Sequence, residues 1–119
     1  MREIIFYKTF SNKSPIEEFL ETLSDKQAEK ILWVLRLIKQ LDRIPIEYFK
    51  KLENTNDIWE IRASSGNNEF RLLGFWYKSN FIVLTNGFRK KSQKTPKSEI
   101  ELAENRKKRF FRREAKWMI

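Results

Sequence analysis

Residues 57–86, DIWEIRASSGNNEFRLLGFWYKSNFIVLTN, decide the fold. Three runs rich in β-branched and aromatic residues, Ile58 to Ala63, Glu69 to Tyr77 and Phe81 to Asn86, are separated by Ser64-Ser65-Gly66-Asn67-Asn68 and by Lys78-Ser79-Asn80. Such runs suit strands, and linkers this short join neighbours in an antiparallel meander. Side chains two apart share a sheet face, so Ile58, Glu60 and Arg62 point one way while Trp59 and Ile61 point the other, toward an apolar layer. Arg71 interrupts the run Phe70, Leu72, Leu73, Phe75, Trp76. A guanidinium there needs a carboxylate, carbonyls or solvent, because an unpaired buried charge is very costly. Two explanations stay open. Either Arg62 or Arg71 forms an ion pair with Glu60 or Glu69, or both arginines line a concave face and hold a phosphate bidentately.

Outward from the meander, Ile4, Ile5 and Phe6 within Glu3 to Tyr7 read as an opening strand that joins one sheet edge. Ser14-Pro15-Ile16-Glu17 combines a capping residue, a proline suited to the first helical position and a capping-box glutamate, so a helix starts there and buries Ile16, Phe19, Leu20 and Leu23. Ser24 to Gln27 is a second capping signature, followed by Ala28, Ile31, Val34, Leu35, Ile38 and Leu41 on one face of a second helix. Trp33 and Leu37 lie toward its far side. Pro45 blocks continuation, and Ile46 to Leu52 is ambiguous between a turn of helix and a loop. Thr95-Pro96 predicts a last helix, with Thr95 as cap, Pro96 at its first position and Ile100, Ala103, Phe110 and Phe111 along it. The expected class is α+β, two N-terminal helices packed on an antiparallel sheet in the order βααβββα, forming one domain over residues 1–119.

Among 119 residues the chain has no cysteine and no histidine, so disulfides, thiolate metal sites and imidazole bases are excluded. Catalysis would have to come from Lys, Arg, Tyr, Asp, Glu, Ser or Thr, and neither a metal nor a cofactor is expected. No apolar run reaches a membrane span, so a cytoplasmic address without membrane association is expected. The net charge of +9 is uneven: residues 86–119 hold 12 basic and 4 acidic side chains. Such a block after a balanced body suits a polyanion, with nucleic acid first and an acidic protein second.

The third strand runs into Gly87-Phe88-Arg89-Lys90-Lys91-Ser92-Gln93-Lys94-Thr95-Pro96, with four cations in six residues before a helix start whose free N–H groups attract phosphate. Phe88 is placed to stack on a base, and Lys97 extends the cationic set. Crowded cations lower one another's pKa, which would fit a lysine here for proton transfer.

These residues resemble a known family. Lys51-Leu52-Glu53, Asp57 to Arg62, Phe70-Arg71-Leu72 and, most specifically, GFRKKSQKTP within residues 86–106 are similar to the HigB-like, phage-derived host-killing branch of the RelE/ParE toxin superfamily. The resemblance implies a toxin paired with an antitoxin from a neighbouring gene, commonly a helix-turn-helix protein. For RNA-cleaving members it implies a ribosome-dependent endonuclease acting on messenger RNA by metal-independent 2′-hydroxyl attack. Carried over by position, Arg62, Arg71, Lys90 and Lys91 become catalytic, while Arg89, Lys94, Phe88 and Lys97 bind RNA; Glu60 is a secondary choice of base. On this assignment Arg71→Ala loses activity and keeps its fold. Trp33, Leu37, Trp117 and Met118 are the expected antitoxin contacts. Some relatives use a tyrosine or histidine late in the site, whereas Tyr7, Tyr48 and Tyr77 all precede the basic loop. A gyrase-inhibiting ParE-like protein and a non-catalytic RNA-binding module are the alternatives.

Overall fold

The computed structural model describes residues 1–116, so Trp117 and Met118 lie outside the described residues. The elements in chain order are β1 (Glu3–Phe6), α1 (Pro15–Glu21), α2 (Asp25–Gln40), β2 (Phe49–Lys51), β3 (Trp59–Ser65), β4 (Asn68–Tyr77), β5 (Phe81–Arg89) and α3 (Lys97–Lys116). The α+β class holds, with two corrections. Phe49–Lys51 is a strand rather than helix or loop, paired antiparallel with β3. The sheet is also mixed, because β1 runs parallel to β5, at one edge of the order β1-β5-β4-β3-β2.

The local signals act as their chemistry dictates. Ser14 Oγ accepts from the Glu17 N–H with Pro15 in the first turn, and Ser24 and Gln27 complete a reciprocal capping box, each cap worth about 1 kcal/mol. From α2, Ile31, Val34, Leu35 and Ile38 are buried against one sheet face, roughly 1.5–3 kcal/mol apiece; Leu41 and Trp33 stay partly exposed. Ile61, Ala63, Phe70, Leu72, Ile82 and Leu84 supply that face, with Trp59 and Trp76 packed beside them. The hairpin between β3 and β4 turns through Gly66 and Asn67, where Gly66 takes φ 61°, a backbone that a side chain would strain.

The opposite face carries α3. Its first half covers Ile58 and Leu73 through Ala103 and Ile100, and its second half covers Tyr7, Phe75 and Val83 through Phe110. Between these patches β5 holds an extra residue, Thr85, where the register with β4 shifts at Leu73/Gly74. A bulge inverts side-chain parity beyond it, which puts Asn86 and Phe88 on the α3 face and Arg89 on the other. The bulged carbonyl is used, since Arg106 Nη1 donates to Thr85 O at 2.8 Å. α3 begins later than the sequence signal implies, at Lys97, with the Glu99 and Ile100 N–H groups closing on Pro96 O.

Candidate active site

Beyond the start of α3 the same sheet face is left uncovered, and charged side chains occupy it. Register pairs Arg62 with Arg71 and Glu60 with Leu73, so Glu60, Arg62, Arg71 and Glu69 share this face. Arg71 is 2% exposed. Its Nη2 donates to Glu69 Oε1 at 2.7 Å, its Nη1 donates to Phe70 O at 3.0 Å, and its Nε lies 3.5 Å from Glu60 Oε1 without a hydrogen bond. Glu60 is buried as well, and Thr95 donates its hydroxyl to Glu60 Oε2. That contact corrects the helix-cap assignment of Thr95: the hydroxyl is spent on a buried carboxylate across the fold, and Pro96 takes the cap position. Arg62 Nε sits 3.7 Å from Glu60 Oε1, with its side chain 34% exposed.

Ion pairing and phosphate gripping were alternatives for the strand arginines, and the geometry divides them. Arg71 is held between the half-exposed Glu69 and the buried Glu60, which Arg62 and Thr95 also contact. Arg62 remains within reach of solvent. Lys90 closes the site from the loop after β5, its N–H bonded to Glu69 O at 2.8 Å. Burial and the Arg71 charge push the Lys90 ammonium below its ordinary pKa, against the pull of Glu60. Hydrogen bonding and charge from Arg71 hold the Glu69 carboxyl below its own usual value.

Arg62, Arg71, Lys90 and Lys91 thus line one hollow of about 480 Å³, together with Asn67, Glu69, Ser92 and Gln93. The last two and Asn67 escaped the sequence argument, although Ser92 and Gln93 sit inside the quoted basic loop. A neighbouring depression of about 370 Å³ shares Arg62, Glu69 and Arg71 and adds Tyr48 and Lys30, so a tyrosine does reach the site's edge, from before β2 rather than late in the chain. The other expected RNA contacts are not brought in. Arg89 stands on the opposite face, 5.5 Å over the Phe70 ring. Phe88, half-buried and paired in register with Arg71, packs against Ile58 and Leu73 and does not line the hollow. Lys94 and Lys97 are exposed and do not line the hollow. Among the described residues no group of His, Cys, Asp or Glu is arranged to hold a metal ion, and no helix is long and apolar enough to cross a membrane.

A small α+β protein whose half-covered sheet ends in a cationic hollow is the class these features define. The chain belongs to the family described as phage-derived protein Gp49-like, whose profile matches residues 18–108. It is also similar to a protein named "Probable endoribonuclease HigB1" from two strains of Mycobacterium tuberculosis, CDC 1551 / Oshkosh and H37Rv, at 46% identity over 52 residues. That match spans 44% of this chain and 41% of the curated relatives, less than half of either. The HigB-like, phage-derived resemblance noted from the sequence is borne out by both.

Proposed function

We propose that this chain is the toxin of a type II toxin–antitoxin pair, a single RelE-like domain that cleaves messenger RNA on the ribosome in the cytoplasm. The observation that carries this reading is the hollow itself, where a reachable guanidinium, Arg62, faces a lysine whose ammonium is destabilised, Lys90, over a floor built from Arg71 and Glu60. RNA supplies its own nucleophile. The 2′-oxygen forms a bond to phosphorus, the bond to the 5′-oxygen breaks, and a 2′,3′-cyclic phosphate remains. Arg62 and Lys91 stabilise charge on the phosphorane, and Lys90 gives its Nζ proton to the departing 5′-oxygen. Glu69 replaces Glu60 as the acceptor of the 2′-hydroxyl proton, because Glu60 is buried and engaged while Glu69 is 53% exposed in the hollow's wall. Its lowered pKa keeps it ionised at neutral pH at the expense of basicity. Arg71 acts by positioning both carboxylates. A cognate antitoxin, encoded beside the toxin, would silence it.

Sequencing RNA 5′ ends after induction, with and without the neighbouring gene, tests this. Fresh cuts inside translated messages, relieved by the neighbour, are expected. Arg62→Ala should cleave about 30- to 1000-fold more slowly with its unfolding transition unchanged. Because Lys90 acts as an acid, the rate should fall as pH rises through its lowered pKa, and Lys90→Arg should lack that alkaline limb. Intact messages accompanied by DNA damage would instead identify the gyrase-directed alternative.

A further inference from the structure

The charges of α3 are sorted by face. On the sheet side, Glu99 Oε1 accepts from Asn86, Glu104 Oε2 from the Asn56 N–H and Glu114 Oε2 from the Tyr77 hydroxyl, while Arg106, Lys107 and Arg113 donate to the carbonyls of Thr85, Asn56 and Lys8. Apart from Lys97 at the helix start and Glu101 two turns before the stripe, both exposed, the charges left over are four cations in the second half of the helix, Lys108, Arg109, Arg112 and Lys116, all exposed. On a 3.6-residue helix they fall within about 100° of arc, a stripe two turns long. Among the described residues none of them pairs with a carboxylate. Lys108, Arg112 and Lys116 follow one another at i,i+4, where like charges oppose helix formation. The helix dipole offsets part of that at its C-terminal end, yet among the described residues no hydrogen bond or ion pair rewards the stripe.

We infer that this outer face of α3 is a second polyanion-binding surface, separate from the hollow, and that it takes the phosphate backbone of double-helical RNA. Among the described residues the stripe offers charge and length, and the aromatic ring at its margin, the partly exposed Phe111, is already engaged with the Phe75 and Tyr77 rings. Single-stranded RNA is gripped largely by stacking on aromatic side chains, whereas a duplex presents phosphates. Four guanidinium and ammonium groups in line match that backbone. The inference does not depend on the hollow cutting RNA.

Fluorescence anisotropy with a labelled 16-base-pair RNA duplex tests it across a salt series. Four phosphate contacts predict log K falling against log salt with a slope near −3.6, roughly a 100-fold loss between 50 and 200 mM. Replacing all four cations with glutamine should abolish most of that slope, and Arg112→Gln alone should reduce it by about 0.9. Lys90→Met, in the hollow, should leave the slope in place. A fourfold variant, folded by circular dichroism, that binds the duplex like the parent overturns the inference, as does tighter binding of a poly-glutamate peptide than of the duplex at equal ionic strength. If the parent cuts no RNA but the fourfold variant still loses duplex binding, the cleavage proposal falls and this surface stands.

Discussion

The two halves of β4 lie on one strand and one sheet face, yet are built from opposite materials. Before the bulge, Glu69 and Arg71 face outward among charged partners; after it, Phe75 and Tyr77 face the same way under Phe110 and Phe111 of α3. The difference is cover. Where the helix lies over the sheet, aromatic rings exclude water and need no polar partner. Where it does not, the strand supports a network of guanidinium and carboxylate groups whose members must satisfy one another. Stability from the aromatic half rests on area; that of the charged half rests on completeness.

Removing the most deeply buried member of either half, Arg71 or Phe75, should therefore be severe, with a different remedy in each. Arg71→Ala is expected to cost about 3–5 kcal/mol in urea unfolding, because the buried Glu60 then keeps only the partly exposed Arg62 and the Thr95 hydroxyl as partners. Arg71→Met combined with Glu60→Leu should recover most of that stability while RNA cleavage stays lost, since a buried ion pair exchanged for apolar groups is often neutral or better. An unrecovered double variant would show that the network holds up the fold as well as the site. Phe75→Ala should cost about 3–5 kcal/mol through the cavity it leaves, with no charge exchange able to restore it.

The junction between the halves gives the next effect. A Cβ on Gly74 would lie 2.2 Å from Val83 O, a backbone atom that cannot swing away, so Gly74→Ala should lose about 1–3 kcal/mol and disturb the bulge. A silent substitution would show that the two halves are not locked together there. The smallest expected effect is at Glu69. Its pKa is lowered in the folded protein, so its contribution is present above the ordinary value of 4.5 and fades as pH falls through the folded value. Parent and Glu69→Gln should differ by at most about 1 kcal/mol at pH 7, since the carboxylate is half-exposed, and converge in acid. A gap that widens on acidification would reverse the assigned sign.

The covered half was the more legible one. Strand periodicity marks β3 to β5, and caps built from adjacent residues, such as Ser24 with Gln27, can be read where they stand. β2 was ambiguous because three residues carry no period, and their pairing with β3 is a tertiary event. Thr95 was misassigned for the same reason, its hydroxyl being claimed by Glu60 from 35 positions away. In the site, sequence parity put Arg62 and Glu60 on one face correctly. It offered both Glu60 and Glu69 as partners of Arg71 and had no means of showing that Arg71 takes both. Phe88 and Arg89 were read as part of the basic loop because the strand signal ends at Asn86, whereas β5 runs on to Arg89, with an extra residue at Thr85 that nothing in the local composition announces.

The parallel edge pairing bears on how the protein is made. β1 has β5 as its sheet neighbour, and Ile4 meets Ile82 only after the intervening chain exists. Contacts this distant along the chain close late and slow folding. During synthesis β1 therefore waits without its sheet neighbour until β5 has left the exit tunnel. Lys90 follows β5 directly, so the hollow becomes whole at nearly the same moment as the sheet, and an unfinished nascent chain holds neither.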